Sequence, residues 1–204
     1  MEPTDERAAL ARALATLGVR DWHRAGRRGK GIKVAVLDSG LKDWSTARGK
    51  ALPDGAVAKS FRKDENIESR DSQHGILCGE IIHHLAPDAN LLLANWEPES
   101  PKAFLNAVRW AKEQGAKVIS CSMIMPGWSD GEGCGPVHQE LKDILGNDIL
   151  FIASAGNTAQ RHWGGTARPD AGRRHQWLPG VTINDVEPLS SERVSIEMTH
   201  SIDS

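Results

Sequence analysis

Gly31-Ile32-Lys33-Val34-Ala35-Val36-Leu37-Asp38-Ser39-Gly40 is the stretch from which the architecture is read. Ile32 to Leu37 is almost continuously apolar, as a strand buried on both faces of a parallel sheet must be. It runs into an acid, a small residue and a glycine turn. An acid at the carboxyl end of such a strand stands where open α/β sheets place their chemistry. Read alone, Asp38 is equally a turn-forming acid that closes a structural strand.

Working outward, the chain alternates strand and helix. Asp5 to Leu17 has Leu10, Leu14 and Leu17 at helical spacing, with Gly18 to end the helix. Leu41 to Arg70 is polar and irregular, with a short strand expected over Val57 to Phe61. Asp71 or Ser72 is placed to cap the next helix, whose apolar side carries Ile76, Leu77, Ile81, Ile82 and Leu85 before Pro87 stops it. Asn90 to Trp96 reads as a strand and Pro101 to Gln114 as a helix. Ala116 to Ser122 reads as a strand, Val137 to Leu145 as a helix and Ile149 to Ser154 as a strand. Such alternation predicts an α/β fold: a doubly wound parallel sheet with helices on both faces and right-handed crossovers. After Asn157 the character changes. Residues 158–180 are rich in Gly, Arg, His and Trp without strong periodicity, and Val181 to Asn184 and Arg193 to Met198 read as short β-like pieces.

Composition narrows the function classes. The 204 residues suffice for one α/β domain with a real core; 39% are hydrophobic and 25% charged, an ordinary soluble profile. A formal net charge of −2 argues against a nucleic-acid or anionic-membrane surface. The basic run Arg24 to Lys30 reads as a solvated loop ahead of the first strand. Cys78, Cys121 and Cys134 are odd in number and no pair has metal-ligand spacing, so neither a disulfide framework nor a metal site is expected. His83 and His84 lack a His-Glu-x-x-His arrangement, which argues against zinc. The polar, acidic start Met1 to Arg7 lacks a secretory pattern and no apolar run approaches spanning length. A cytoplasmic location is therefore the favoured reading.

Two further segments follow the acid in order. Asp71-Ser72-Gln73-His74-Gly75 opens a helix, and Ile149-Leu150-Phe151-Ile152-Ala153-Ser154-Ala155-Gly156-Asn157 ends a strand. Each has a plain structural reading, as a helix-capping histidine and as a turn asparagine. Together, in this order, Asp38, His74 and Asn157 resemble the subtilisin-like serine proteases (subtilases, peptidase S8 type) over residues 20–185. Within the family pattern, Gly75 and Gly79 match positions of close helix packing, whereas Ile76 replaces a small hydroxyl residue and Glu80 a glycine.

The resemblance implies a mechanism. Imidazole removes the proton of a serine nucleophile, and a carboxylate holds the imidazole in the right tautomer. Asp38 and His74 take those two roles, and Asn157 stabilises the oxyanion. Gly115 to Met123 resembles the family strand whose end lines the substrate groove, with Ser122 and Met123 on matching positions. Ile124 stands where the family has a glycine, which alters the first specificity pocket; Ser154, Ala155 and Gly156 form its opposite wall. A peptide or protein is the implied partner, with neither nucleic acid nor membrane. No cofactor is predicted: calcium is common in the family, yet no calcium loop maps onto this chain.

One component is missing. No Gly-Thr-Ser nucleophile segment occurs before Ser204, and Ser190, Ser191, Ser195, Ser201 and Ser204 lie in other settings. The domain reading is therefore an N-terminal helix over 1–19, the N-terminal part of a subtilisin-like domain over 20–185, and the start of a β-rich insertion or a truncated end over 186–204. On this reading the chain is inactive by itself and the serine lies in a missing C-terminal segment. Such a chain is expected to show an unpaired sheet edge and apolar surface. The alternatives are a pseudoprotease that binds peptide without cleaving it, a nucleophile from another chain, and an unrelated α/β small-ligand domain. The last requires Asp38 and His74 to lie beyond hydrogen-bond reach of each other.

Overall fold

The computed structural model describes residues 3–123, 128, 133–156 and 165–183. By its contacts the chain divides into two units, Met1–Ala155 and Gly156–Ser204. The first contains a parallel sheet of five strands: β1 (Lys33–Leu37), β2 (Val57–Ser60), β3 (Asn90–Asn95), β4 (Val118–Cys121) and β5 (Leu150–Ala153). Their order is β2-β3-β1-β4-β5, so the chain runs outward from β1 to one edge, returns, and continues to the other. That reversal on either side of β1 creates a switch point at the carboxyl end of β1, where Asp38 stands.

Among the described residues six helices accompany the strands: α1 (Pro3–Thr16), α2 (Val19–Arg24), α3 (Trp44–Ala47), α4 (His74–Leu85), α5 (Pro101–Glu113) and α6 (Pro136–Leu145). Alternation along β1 separates two cores. Ala35 and Leu37 join Leu92, Ala94, Ile119 and Cys121 in a layer closed by α5 and α6. Val34 and Val36 join Leu91 and Leu93 in a layer reached by Ile76 of α4. The α5 side is aromatic. Trp96 and Phe104 are buried with centroids 5.3 Å apart, and Trp128 and Phe151 lie 5.7 and 6.4 Å from Phe104. Helix α5 begins cleanly because Ser100 Oγ accepts from the Ala103 N–H at 3.2 Å and Pro101, which has no N–H to satisfy, opens the first turn.

The elements fall close to where the sequence places them, with instructive differences. Trp22 and His23 lie in a short helix, and His23 Nε2 reaches the Leu85 carbonyl at 2.9 Å, tying α2 to the end of α4. Asp71 does not cap α4. It pairs with Lys42 at 2.5 Å, while Ser72 Oγ accepts from the His74 N–H at 3.3 Å. Leu77 and Ile81, assigned to the buried side of α4, are 52% and 60% exposed, because α4 meets the sheet through Gly75, Ile76 and Gly79. On the same face of the sheet Leu150 and Ile152 are 59% and 51% exposed, and among the described residues β5 pairs only with β4. Among the described residues no helix is long and apolar enough to cross a membrane.

Within Gly156–Ser204 the described residues 165–183 form short antiparallel bridges, Pro169 with His175 and Leu178 with Val181. The β-like piece expected over Val181 to Asn184 is no more than that bridge through Ile183, and Asn184 and the piece from Arg193 to Met198 lie outside the described residues.

Two predictions follow from the α5-side core. Phe104→Ala removes the ring on which Trp96, Trp128 and Phe151 meet and is expected to cost ~3–5 kcal/mol in urea denaturation. Burial pushes the Cys121 thiol up from 9.0 to about 11, against the hydrogen bond toward the Met123 carbonyl. Below pH 9.0 folded and unfolded chains both hold that proton, and up to about 11 only the folded chain does, so this contribution to stability is lost as pH rises through that window. Between about pH 8 and 10.5 the wild type should lose about 2 kcal/mol more than Cys121→Ala, read from urea midpoints at the two pH values.

Candidate active site

The site is built where α4 meets the end of β1. Asp38 follows β1 directly, and its N–H continues the ladder by donating to the Ala94 carbonyl at 3.0 Å. The Asp38 side chain is 2% exposed. A charge so buried needs partners on both oxygens. Oδ1 accepts from the Gly40 N–H at 2.9 Å, and Oδ2 lies 2.7 Å from His74 Nδ1. Because an ionised carboxylate only accepts, the shared proton sits on Nδ1 and the lone pair of the neutral ring is on Nε2. The His74 side chain is 57% exposed, so the ring reaches from a buried anchor toward solvent. This is the arrangement of a general base held in one tautomer.

The 2.7 Å contact depends on a missing side chain. A Cβ at Gly75 would lie 2.7 Å from Asp38 Cβ, 2.6 Å from Leu41 Cδ2 and 3.0 Å from the Gly40 carbonyl oxygen. Only glycine lets the first turn of α4 come this close, and there its N–H donates to the Gly40 carbonyl at 2.7 Å. Gly40 is tied in the same way, since a Cβ there would meet Ser72 Oγ at 2.5 Å.

Two residues outside the sequence-based assignment complete the surroundings. Cys78, one turn after His74 on α4, places Sγ 3.8 Å from Nδ1 and 3.7 Å from Ser122 Oγ. Burial pushes its thiol up, the Ser122 hydroxyl pulls it down and the Asp38 charge pushes it up again. The thiol lies beside Nδ1, the nitrogen that faces Asp38, so it is not placed as the partner of the free base nitrogen. Ser39 Oγ contacts Met123 Sδ at 3.4 Å. The legible signal for Cys78 was its i+4 spacing from His74, which puts both on one helix face.

The assigned substrate-wall residues come out as follows. Ser122 and Met123 leave the end of β4, Ser122 toward Cys78 and Met123 against the α5-side core. Ser154 and Ala155 leave β5 beside them and are exposed, with the Ser154 N–H donating to the Cys121 carbonyl at 3.1 Å. Gly156 opens the second unit at φ 84°. Ile124 and Asn157 lie outside the described residues.

Contact between Asp38 and His74 removes the small-ligand alternative, which required the two to stand apart. Comparison with curated proteins gives no match. Among solved structures, the crystal structure of MycP1 with its N-terminal propeptide removed is 22% identical with a TM-score of 0.52, over 78% of this chain and 53% of that one. A lanthipeptide protease is 21% identical with a TM-score of 0.49, over 68% of this chain and 44% of that one. The PatG macrocyclase domain is 14% identical with a TM-score of 0.47, over 72% of this chain and 57% of that one. At these identities the first likeness establishes the fold alone, and the chain spans about half the length of that structure.

Gly75→Ala should push α4 off the strand end. We expect a loss of ~1–3 kcal/mol in urea denaturation together with loss of the downfield Asp38–His74 proton signal in NMR spectra. A variant of wild-type stability that retained the signal would show that the close approach is dispensable.

The family model described as the subtilase family matches residues 29–173, which span Asp38, His74 and the strand ends around them, and the chain belongs to that family.

Proposed function

We propose that this chain supplies the acid–base half of a serine-type peptide hydrolase. Asp38 orients His74, His74 Nε2 takes the proton of a serine hydroxyl, and Asn157 donates to the oxyanion. The observation that carries the reading is the 2.7 Å contact from the buried Asp38 carboxylate to His74 Nδ1, with the ring otherwise open to solvent. The nucleophile comes from a segment outside these residues. Support for that lies on the α4 side of the sheet. There Leu150 and Ile152 are exposed and, among the described residues, β5 pairs on one side alone, and Leu77 and Ile81 are exposed on α4 itself. An apolar element laid on this face would bury that surface and bring a hydroxyl to Nε2. The substrate is a peptide held in extended form along the ends of β4 and β5, past Ser122, Met123, Ile124 and Ser154 to Gly156.

The test compares this chain with the native polypeptide that contains it, using a serine-directed fluorophosphonate and a quenched-fluorescence peptide library. The chain alone should neither label nor cleave. The native polypeptide should label on one serine, and His74→Ala should slow cleavage at least about a thousandfold. Labelling that ignores His74→Ala would overturn the acid–base assignment. A native polypeptide that binds peptide without labelling would make the protein a pseudoprotease.

A further inference from the structure

The tertiary fold brings three ligand types to one point. A carboxylate oxygen of Asp38, a ring nitrogen of His74 and Cys78 Sγ all lie within 4.8 Å of one another. We propose that these atoms form a binding site for Zn2+ and that the ion switches the Asp38–His74 pair off. This goes beyond the hydrolase reading and rests only on where three side chains stand. Zinc binding by this chain and hydrolysis by the native polypeptide can therefore fail separately.

The donor set selects the metal. One carboxylate oxygen, one imidazole nitrogen and one thiolate sulfur suit Zn2+, whereas calcium and magnesium take oxygen throughout. Geometry agrees. Zinc–ligand bonds of about 2.0–2.3 Å in a tetrahedron put nitrogen and sulfur ~3.5 Å apart and nitrogen and oxygen ~3.3 Å apart. The free side chains stand at 3.8 Å for His74 Nδ1 to Cys78 Sγ and 2.7 Å for Nδ1 to Asp38 Oδ2. The carboxylate oxygen and the sulfur, which lie within 4.8 Å of each other, must close to ~3.5 Å, so movements of up to about an ångström convert one arrangement to the other. The exposed His74 ring can turn by that amount, and the supporting contacts remain in place. Gly40 N–H still holds Asp38 Oδ1 at 2.9 Å, and Ser122 Oγ lies 3.7 Å from the sulfur. Such outer hydrogen bonds hold ligands in register. A water molecule is taken as the fourth ligand.

Proton placement explains the switch. In the free site Nδ1 carries the ring proton and Nε2 the lone pair. A zinc–Nδ1 bond needs the Nδ1 lone pair, so the ring proton moves to Nε2. The Cys78 thiol yields its proton to solvent as the zinc–sulfur bond forms, and Asp38 stays a carboxylate. One proton leaves per Zn2+ bound. Nε2 then carries a proton and can no longer accept one from a hydroxyl. The ion thus holds the imidazole in the wrong tautomer for base catalysis.

The experiment is titration of the purified chain with Zn2+ by calorimetry and with Co2+ by absorption spectroscopy. The wild type should bind one ion and show a sulfur-to-cobalt charge-transfer band. Cys78→Ser and His74→Ala should each weaken Zn2+ binding at least about tenfold and abolish or shift that band. Cys134→Ser and Cys121→Ala should keep both. Should Cys78→Ser fail to fold, the wild-type cobalt spectrum decides, since its band must persist in Cys134→Ser and Cys121→Ala. A wild type without the band, or a band lost with Cys134 or Cys121, overturns the site. So does unchanged Zn2+ affinity in a folded Cys78→Ser.

Discussion

The approach of α4 to the end of β1 is the constraint on which the rest depends. Two backbones come together at Gly40 and Gly75, joined by a 2.7 Å hydrogen bond, with no side chain between them. That contact is steric before it is chemical. It places the first residue of a helix, His74, over the last turn of a strand, and so lets an imidazole reach a carboxylate 36 positions earlier in the chain. Beyond that end helix α4 buries only Ile76 and Gly79 on its inner side, with Cys78 and Ile82 partly buried and the Leu85 carbonyl held by His23. Position therefore comes from close packing at one end of the helix rather than from a broad apolar face.

Burying Asp38 sets the electrostatics. A carboxylate removed from water is costly unless hydrogen bonds replace its hydration. The glycine turn supplies one donor and His74 the other. Stability and chemistry thus ask the same thing of the ring, that Nδ1 carry the proton and face inward. Because the turn backbone fills Oδ1, only Oδ2 remains for the ring, which fixes the imidazole's direction as well as its tautomer. Cys78 enters this space from the same helix face, which makes the pair sensitive to any ion that prefers nitrogen and sulfur.

The two faces of the sheet are finished to different degrees. The α5 side is closed by aromatic rings around Phe104 and by α6. The α4 side is covered over β1 and β3 and left open over β5, where Leu150 and Ile152 meet solvent. Among the described residues β5 also pairs on one side alone, so this part of the molecule combines apolar surface with a sheet edge. The open surface lies on the same side of the sheet as the imidazole. In the function proposed for this chain, an element that covered this surface would also complete the site.

Much was legible in the residues themselves. The apolar run ending in Asp38, the helix opening at His74 and the strand–helix alternation determined a parallel α/β sheet, because burial on both faces demands continuous apolar strands. The order of Asp38, His74 and Asn157 pointed to the subtilase family, since those motifs are local. Other features were not local. Leu77 and Ile81 read as core by periodicity, yet periodicity says only that one stripe is apolar and not whether anything covers it. The surroundings of Cys78 were not legible, because its neighbours Asp38 and Ser122 come from distant strands. Sequence alone determined which residues could do chemistry and on which kinds of element they ride. Tertiary structure decided which of them touch, because contact depends on the fit of α4 against a strand end, and that fit turns on the empty space at Gly75.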